Sequence, residues 1–134
     1  MHVVLQPSPS VAHKYRVLLP NNRAVDFGPL KTPDFTEHRN ALFMRSHLLR
    51  KGAIISKELE MEMDPVELQR GMLYVDKSTM EDWDDPFRAN YWDRWLLWSY
   101  PNINHAKLWM TMRKGILFMP TPENMWYSDY YKKY

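Results

Sequence analysis

A chain of 134 residues, a quarter of them charged, is long enough to bury one core and too short for two domains. The absence of cysteine excludes disulfides, thiolate metal sites and a cysteine nucleophile, and no stretch approaches the roughly 20 apolar residues of a membrane span. The net charge of +2 is unevenly spread: residues 1–55 carry eight Lys/Arg against three Asp/Glu, residues 56–93 four against eleven, and residues 94–134 six against two. Such blocks read either as solvated faces of one domain or as surfaces for different neighbours.

Residues 1–12, MHVVLQPSPSVA, lack the charged start and apolar run of a signal peptide. Pro7 and Pro9 prevent a helix, so the segment is predicted to be an extended arm. Residues 13–28 read as a β-hairpin. Tyr15, Val17 and Leu19 alternate on one strand and Val25 and Phe27 on the other, Asn21 and Asn22 suit the turn, and Gly28-Pro29 stops the return strand. Residues 32–51 are predicted as one helix, with Thr32 or Asp34 as cap, Pro33 near the start, and Gly52 as the stop.

Residues 53–83 read as an excursion. Glu58 to Met63 alternates charged and apolar residues with the period of a strand, and Asp64-Pro65 starts one short helix that Gly71 ends. Residues 86–100 are predicted as a central helix, because Tyr91, Trp95 and Trp98 share one side and Trp92, Leu96 and Ser99 the next. Pro101 ends it. A further helix over 103–114, capped by Asn102 or Asn104, carries Leu108, Trp109 and Met112 on its apolar side and stops at Gly115. Residues 116–134 contain two prolines and many aromatics and cannot build a core alone.

Several constellations invite a chemical reading. Three tryptophans at 92, 95 and 98 suit either a base-stacking platform or a core helix; their spacing favours the core, with Arg94 pairing with Asp34 or Asp93 or stacking on a ring. Asp34, Thr36 and His38 contain an acid and a base, but a helix cap accounts for the first two. His13, His38, His47 and His105 are too dispersed to indicate a site. Glu58, Glu60, Glu62 and Asp64 suit a divalent cation less well than a solvated or partner-facing edge, since the glycine and loop of a calcium hand are missing. Arg39, Arg45, Arg50 and Lys51 are possible phosphate contacts, with Arg39 and Arg50 spaced to share a helix face. No nucleophile elbow, phosphate loop, dinucleotide fingerprint or zinc spacing occurs.

The order Lys14, Phe27-Gly28, Asp34-Phe35-Thr36-x-His38 and Trp92-x-Arg94-Trp95-Leu96-Leu97-Trp98 followed by Pro101 resembles a family of small uncharacterised proteins of nucleocytoplasmic large DNA viruses. The resemblance covers residues 13–51 and 84–112. The chain departs from the pattern at residues 52–83, where family members have a short link, and after Gly115. The resemblance implies a viral setting and supplies no reaction.

The expected fold is therefore α+β, a small domain with an N-terminal β-hairpin packed on a few helices. Residues 1–12 form an N-terminal arm, residues 13–115 one domain with an acidic insertion at 52–83, and residues 116–134 an aromatic C-terminal arm. The expected function is a structural component of a large DNA virus particle, a minor capsid protein bridging or cementing capsid subunits. It would be made in the host cytoplasm and reside in the virion. Its partners would be the major capsid protein and other minor capsid proteins, met through Phe118, Trp126, Tyr127, Tyr130, Tyr131 and Tyr134. The alternative is a nucleic-acid-associated factor in viral replication or transcription. No enzymatic activity, cofactor or metal is expected.

Overall fold

The computed structural model describes residues 1–120. The fold is α+β, and the chain divides into two compact units, residues 1–32 with 107 onwards, and residues 33–106.

The first unit is built on a four-stranded sheet of order β3-β2-β1-β4, with β1 His2–Pro7, β2 His13–Leu18, β3 Ala24–Pro29 and β4 Leu117–Met119. The predicted hairpin is β2–β3. Asn22 takes a left-handed φ of 63°, and Leu19 N donates to Arg23 O at 2.8 Å to close the turn. The two-residue period sorts the faces. Tyr15 lies opposite Phe27 with rings 5.7 Å apart, while the neighbouring pair Arg16 and Asp26 projects to the other face and forms an ion pair at 2.9 Å. The Arg16 hydrogen bond holds the Asp26 carboxyl below its ordinary value, and buried Ser8 donates to the same carboxylate at 2.8 Å.

Both expected arms need correction at their roots. Residues 2–7 are extended, but as β1 they lie inside the sheet, antiparallel to β2 and parallel to β4. Val3 is buried there, and a strand with neighbours on both sides has no edge left to act as a free arm. Residues 117–119 are β4, whose Phe118 pairs with Val3, and Met1 donates its ammonium to Gly115 O at 2.8 Å. The helix over 103–114 is present as α6 Ile103–Lys114. Asn102 Oδ1 accepts from Asn104 N at 2.8 Å, and Gly115 turns the chain at φ +69°. Its buried positions are Ala106 and Met110, so the predicted apolar side is displaced, and Leu108 and Met112 are exposed.

The second unit is helical. The single helix predicted over 32–51 is two: α1 Phe35–His38 and α2 Ala41–Arg50. Arg39 adopts φ +57°, and the Asn40 side chain accepts from Leu42 N and Phe43 N, so a local cap replaces continuation of the ladder. Residues 52–83, expected as an acidic insertion, are part of the helical unit. They hold α3 Lys57–Met61 and α4 Pro65–Met72, and they bury Leu68, Met72, Val75 and Trp83. Ile54 N donates to Lys77 O and Thr79 N to Gly52 O, tying both ends of the segment to the foot of α2. Glu58 to Met61 is helical rather than strand-like because Ser56 caps α3 through Leu59 N, and Glu, Leu and Met are good helix formers. Asp64 caps α4 with Pro65 at its first position, as the sequence indicates.

Residues 89–97 complete the unit: α5 Ala89–Trp92 runs into a π-helical turn, Asp93–Leu97. The helix expected over 86–100 is thus shorter, and its second half is wound more widely than an α-helix. Tyr91 to Ser99 is buried almost throughout, with Asp93 half-buried. No described helix is long and apolar enough to cross a membrane.

Candidate functional site

The densest chemistry in the described residues surrounds the Trp-x-Arg-Trp-Leu-Leu-Trp segment. Its indoles are structural. Trp92 Nε1 donates to Pro86 O at 2.7 Å and Trp95 Nε1 to Trp83 O at 2.8 Å. Trp83 donates to Glu81 Oε1 at 2.9 Å. The indoles are buried, and the Nε1 groups of Trp83, Trp92 and Trp95 are satisfied, so they pack the unit and do not offer open faces to bases.

Arg94 sits at the centre and is 1% exposed. Its guanidinium donates to Trp98 O at 2.6 Å, Met72 O at 2.6 Å and Val75 O at 2.9 Å. The guanidinium carbon lies 4.2 Å from the Trp95 ring centroid and 5.2 Å from that of Trp83. Neither Asp34 nor Asp93 receives a hydrogen bond from it; of the expected pairings the ring stack is the one present. The planar fork reaches the Met72 carbonyl at the end of α4 and the Val75 carbonyl just beyond it, which ties α4 to the π-turn. Burial pulls the Arg94 pKa down to about 9, with Asp76 opposing, so the cation persists at neutral pH.

The structure joins two histidines that the sequence left apart. The His47 ring stacks on Trp98 at 3.6 Å and 6°, and the His38 ring lies 5.5 Å from the same indole. His38 Nδ1 accepts from Asn40 N at 3.0 Å, which fixes the joint between α1 and α2. Burial pushes the His47 pKa down to about 4, helped by the charges of Lys51, Arg50, His38 and Arg94. Nothing in the spacing of residues 38, 47 and 98 foretells this contact, because the break at Arg39 and the π-turn create it. Asp34 and Thr36 serve the cap. Asp34 Oδ1 accepts from Thr36 N and from its hydroxyl, and Glu37 accepts from Asp34 N at 3.2 Å.

The possible phosphate contacts are dispersed. Arg39 stands on the joint rather than on α2, so it shares no helix face with Arg50. Arg45 donates to Leu59 O at 2.9 Å and Glu62 O at 2.6 Å, so its guanidinium is spent on α3. Lys51 stands 3.9 Å from Glu81, and Arg50 is exposed. Of the acidic stretch, Glu58 and Glu60 are exposed, Glu62 accepts from Asp64 N, and Asp64 caps α4. No group of three or more metal-ligating side chains gathers among the described residues. Of the aromatic partner-binding candidates, Phe118 is half-buried in β4 with Lys107 Nζ 5.5 Å from its ring. Trp126, Tyr127, Tyr130, Tyr131 and Tyr134 lie outside the described residues.

A family model matches residues 3–51, and its description is a family of unknown function (DUF5754). The matched span takes in β1 to α2 and stops before α3 and the tryptophan segment. No curated protein and no solved structure matches the chain.

Proposed function

We propose that the chain is a structural, protein-binding component of a large DNA virus particle, a minor capsid protein that bridges or cements capsid subunits. The observation that carries the structural half is the use made of the tryptophan–arginine segment. Its aromatic and cationic groups are consumed in holding helices together, while large apolar side chains such as Met61, Tyr74 and Met112 remain exposed on the surface. Exposed apolar side chains gathered into patches favour protein contacts. The viral half rests on the resemblance of Trp92 to Trp98 and of the Asp34 to His38 motif. Mass spectrometry of purified virions tests it: the chain is expected among the particle proteins, and its absence from them would remove the proposal.

The nucleic-acid alternative now leans on Arg39, Arg50 and Lys51, since Arg45 is engaged elsewhere. Filter binding across a salt series separates the two readings. Phosphate contacts would give an affinity that falls steeply with salt. The structural reading expects no retention even at low salt.

A further inference from the structure

We propose that the α3–α4 corner is a docking surface for a basic, apolar-bearing polypeptide segment of another protein. The starting observation is that α3 buries none of its residues and yet is held at three points. Ser56 caps it through Leu59 N, Arg45 bridges Leu59 O and Glu62 O, and Leu59 lies over Gly71 so closely that a Cβ there would stand 2.5 Å from Leu59 Cδ1. A helix of five residues is far below the roughly 12–15 needed for stability in isolation, so these restraints fix a shape the segment would not keep alone.

What the restraints hold in place is apolar. Met61 is 76% exposed, Met63 66% and Val66 56%, all within six consecutive residues. Methionine is unbranched and polarizable, and it adapts to varied apolar partners. The rim is anionic. The carboxylates of Glu58 and Glu60 are exposed and make no hydrogen bond or ion pair with any described residue, and Glu62, Asp64 and Glu67 follow along the corner. The matching occupant carries Lys or Arg around apolar side chains, because opposite charges steer encounter and fix register. Anionic lipid headgroups and nucleic-acid phosphates are repelled by the same rim. The surface belongs to one unit and does not depend on whether the chain resides in a particle.

The test uses the full chain and a fluorescein-labelled amphipathic peptide of about 18 residues built from Lys and Leu, long enough for about five helical turns. A Glu/Leu peptide of the same pattern is the control. Anisotropy in about 50 mM salt is expected to show saturable binding of the Lys/Leu peptide alone, weakening as the Debye length shortens. Met61→Ser/Met63→Ser should weaken it by about tenfold or more, as loss of a central apolar anchor does. Glu58→Gln/Glu60→Gln should flatten the salt dependence. Arg45→Met, which keeps the methionines and acids but frees α3, should also weaken binding. Leu108→Ser/Met112→Ser, on the exposed side of α6, should leave affinity unchanged. Failure of the Lys/Leu peptide to bind, unchanged affinity in the Met61/Met63 variant, or equal binding by the Glu/Leu peptide or by anionic phosphatidylserine vesicles would each overturn the proposal.

Discussion

Two arginines of the helical unit do the same thing in opposite surroundings. Arg94 gathers the carbonyls of Met72, Val75 and Trp98 inside a tryptophan cluster, and Arg45 gathers those of Leu59 and Glu62 at the surface. Each joins elements whose backbone acceptors would otherwise face solvent or apolar side chains. Burial decides what each contact is worth. At the buried site a missing donor leaves carbonyls that water cannot reach, whereas at the half-buried Arg45 site water can take over much of the guanidinium's role. The core clamp should therefore govern global stability, and the surface clamp should govern only the order of α3.

The sharpest way to break this contrast is Arg94→Met. The substitution removes the charge and keeps much of the aliphatic length, but it strands the buried acceptors Trp98 O and Val75 O, while Met72 O keeps the Val75 amide. Chemical denaturation should show a loss of about 3–5 kcal/mol, from about 1–3 kcal/mol per unsatisfied group with partial relaxation. Arg94→Lys should recover little, because one ammonium cannot reproduce the fork. A loss under about 1 kcal/mol would mean the hydrophobic replacement offsets the missing bonds, as happens with some buried ion pairs, and the clamp would not be a determinant of stability.

The pH dependence sharpens the contrast next. His47 is neutral in the folded chain because burial and the charges of Lys51, Arg50, His38 and Arg94 lower its pKa to about 4. An unfolded histidine titrates near its ordinary value of 6.5. Between these values the unfolded chain binds a proton that the folded chain refuses, so stability is full above pH 6.5 and falls towards pH 4. Because the ring is only partly shielded, the loss should be on the order of 1–2 kcal/mol. His47→Phe keeps an aromatic ring against Trp98 and should flatten the part of the pH–stability curve owed to this group. Denaturation midpoints measured from pH 7 to pH 4 check it, and an unchanged slope in the variant would remove His47 as the cause.

How far the sequence foretold these sites follows the reach of local rules. The hairpin, the caps at Asp34 and Asp64, α6 and the stops at Gly52 and Gly115 were legible, because a turn or cap needs only neighbours in the chain. The core role of the tryptophans was legible from their spacing every three to four residues. The joint at Arg39 was not: Asn40 competes as a cap, but a basic residue at positive φ carries no signal of its own. The π-turn was hidden because counting at 3.6 residues assumes the geometry it replaces. The stacking of His38 and His47 on Trp98, and the reach of Arg94 to Met72 and Val75 and of Arg45 to Leu59 and Glu62, join residues far apart in the chain, which local rules do not see.

A smaller effect is expected from Arg45→Met at the surface clamp. Denaturation should register about 1 kcal/mol or less, the size of ordinary hydrogen bonds that water can replace. Amide exchange should rise sharply across residues 57–62 and stay unchanged in α4. Slow exchange in α3 without Arg45 would show that Ser56 and Leu59 suffice to hold it.

The smallest net change should come from Gly71→Ala, where two terms oppose. Gly71 lies inside α4 with ordinary helical backbone, and alanine there favours the helix by roughly 0.5–1 kcal/mol. Its new Cβ would stand 2.5 Å from Leu59 Cδ1, which is closer than packed atoms allow. The obstacle is the tip of a flexible side chain on a helix that buries nothing, so Leu59 can swing aside at little cost. The helix gain, set against the loss of the Leu59 contact between α3 and α4, should leave the melting temperature nearly unchanged, while α3 exchanges its amides faster. Leu59→Ala in the same background relieves the clash and separates the terms: the double variant should melt above Gly71→Ala if crowding held the gain back. If Gly71→Ala instead destabilises by more than about 1 kcal/mol, α3 is coupled to the core of the unit, and the contrast between the two clamps would be one of degree.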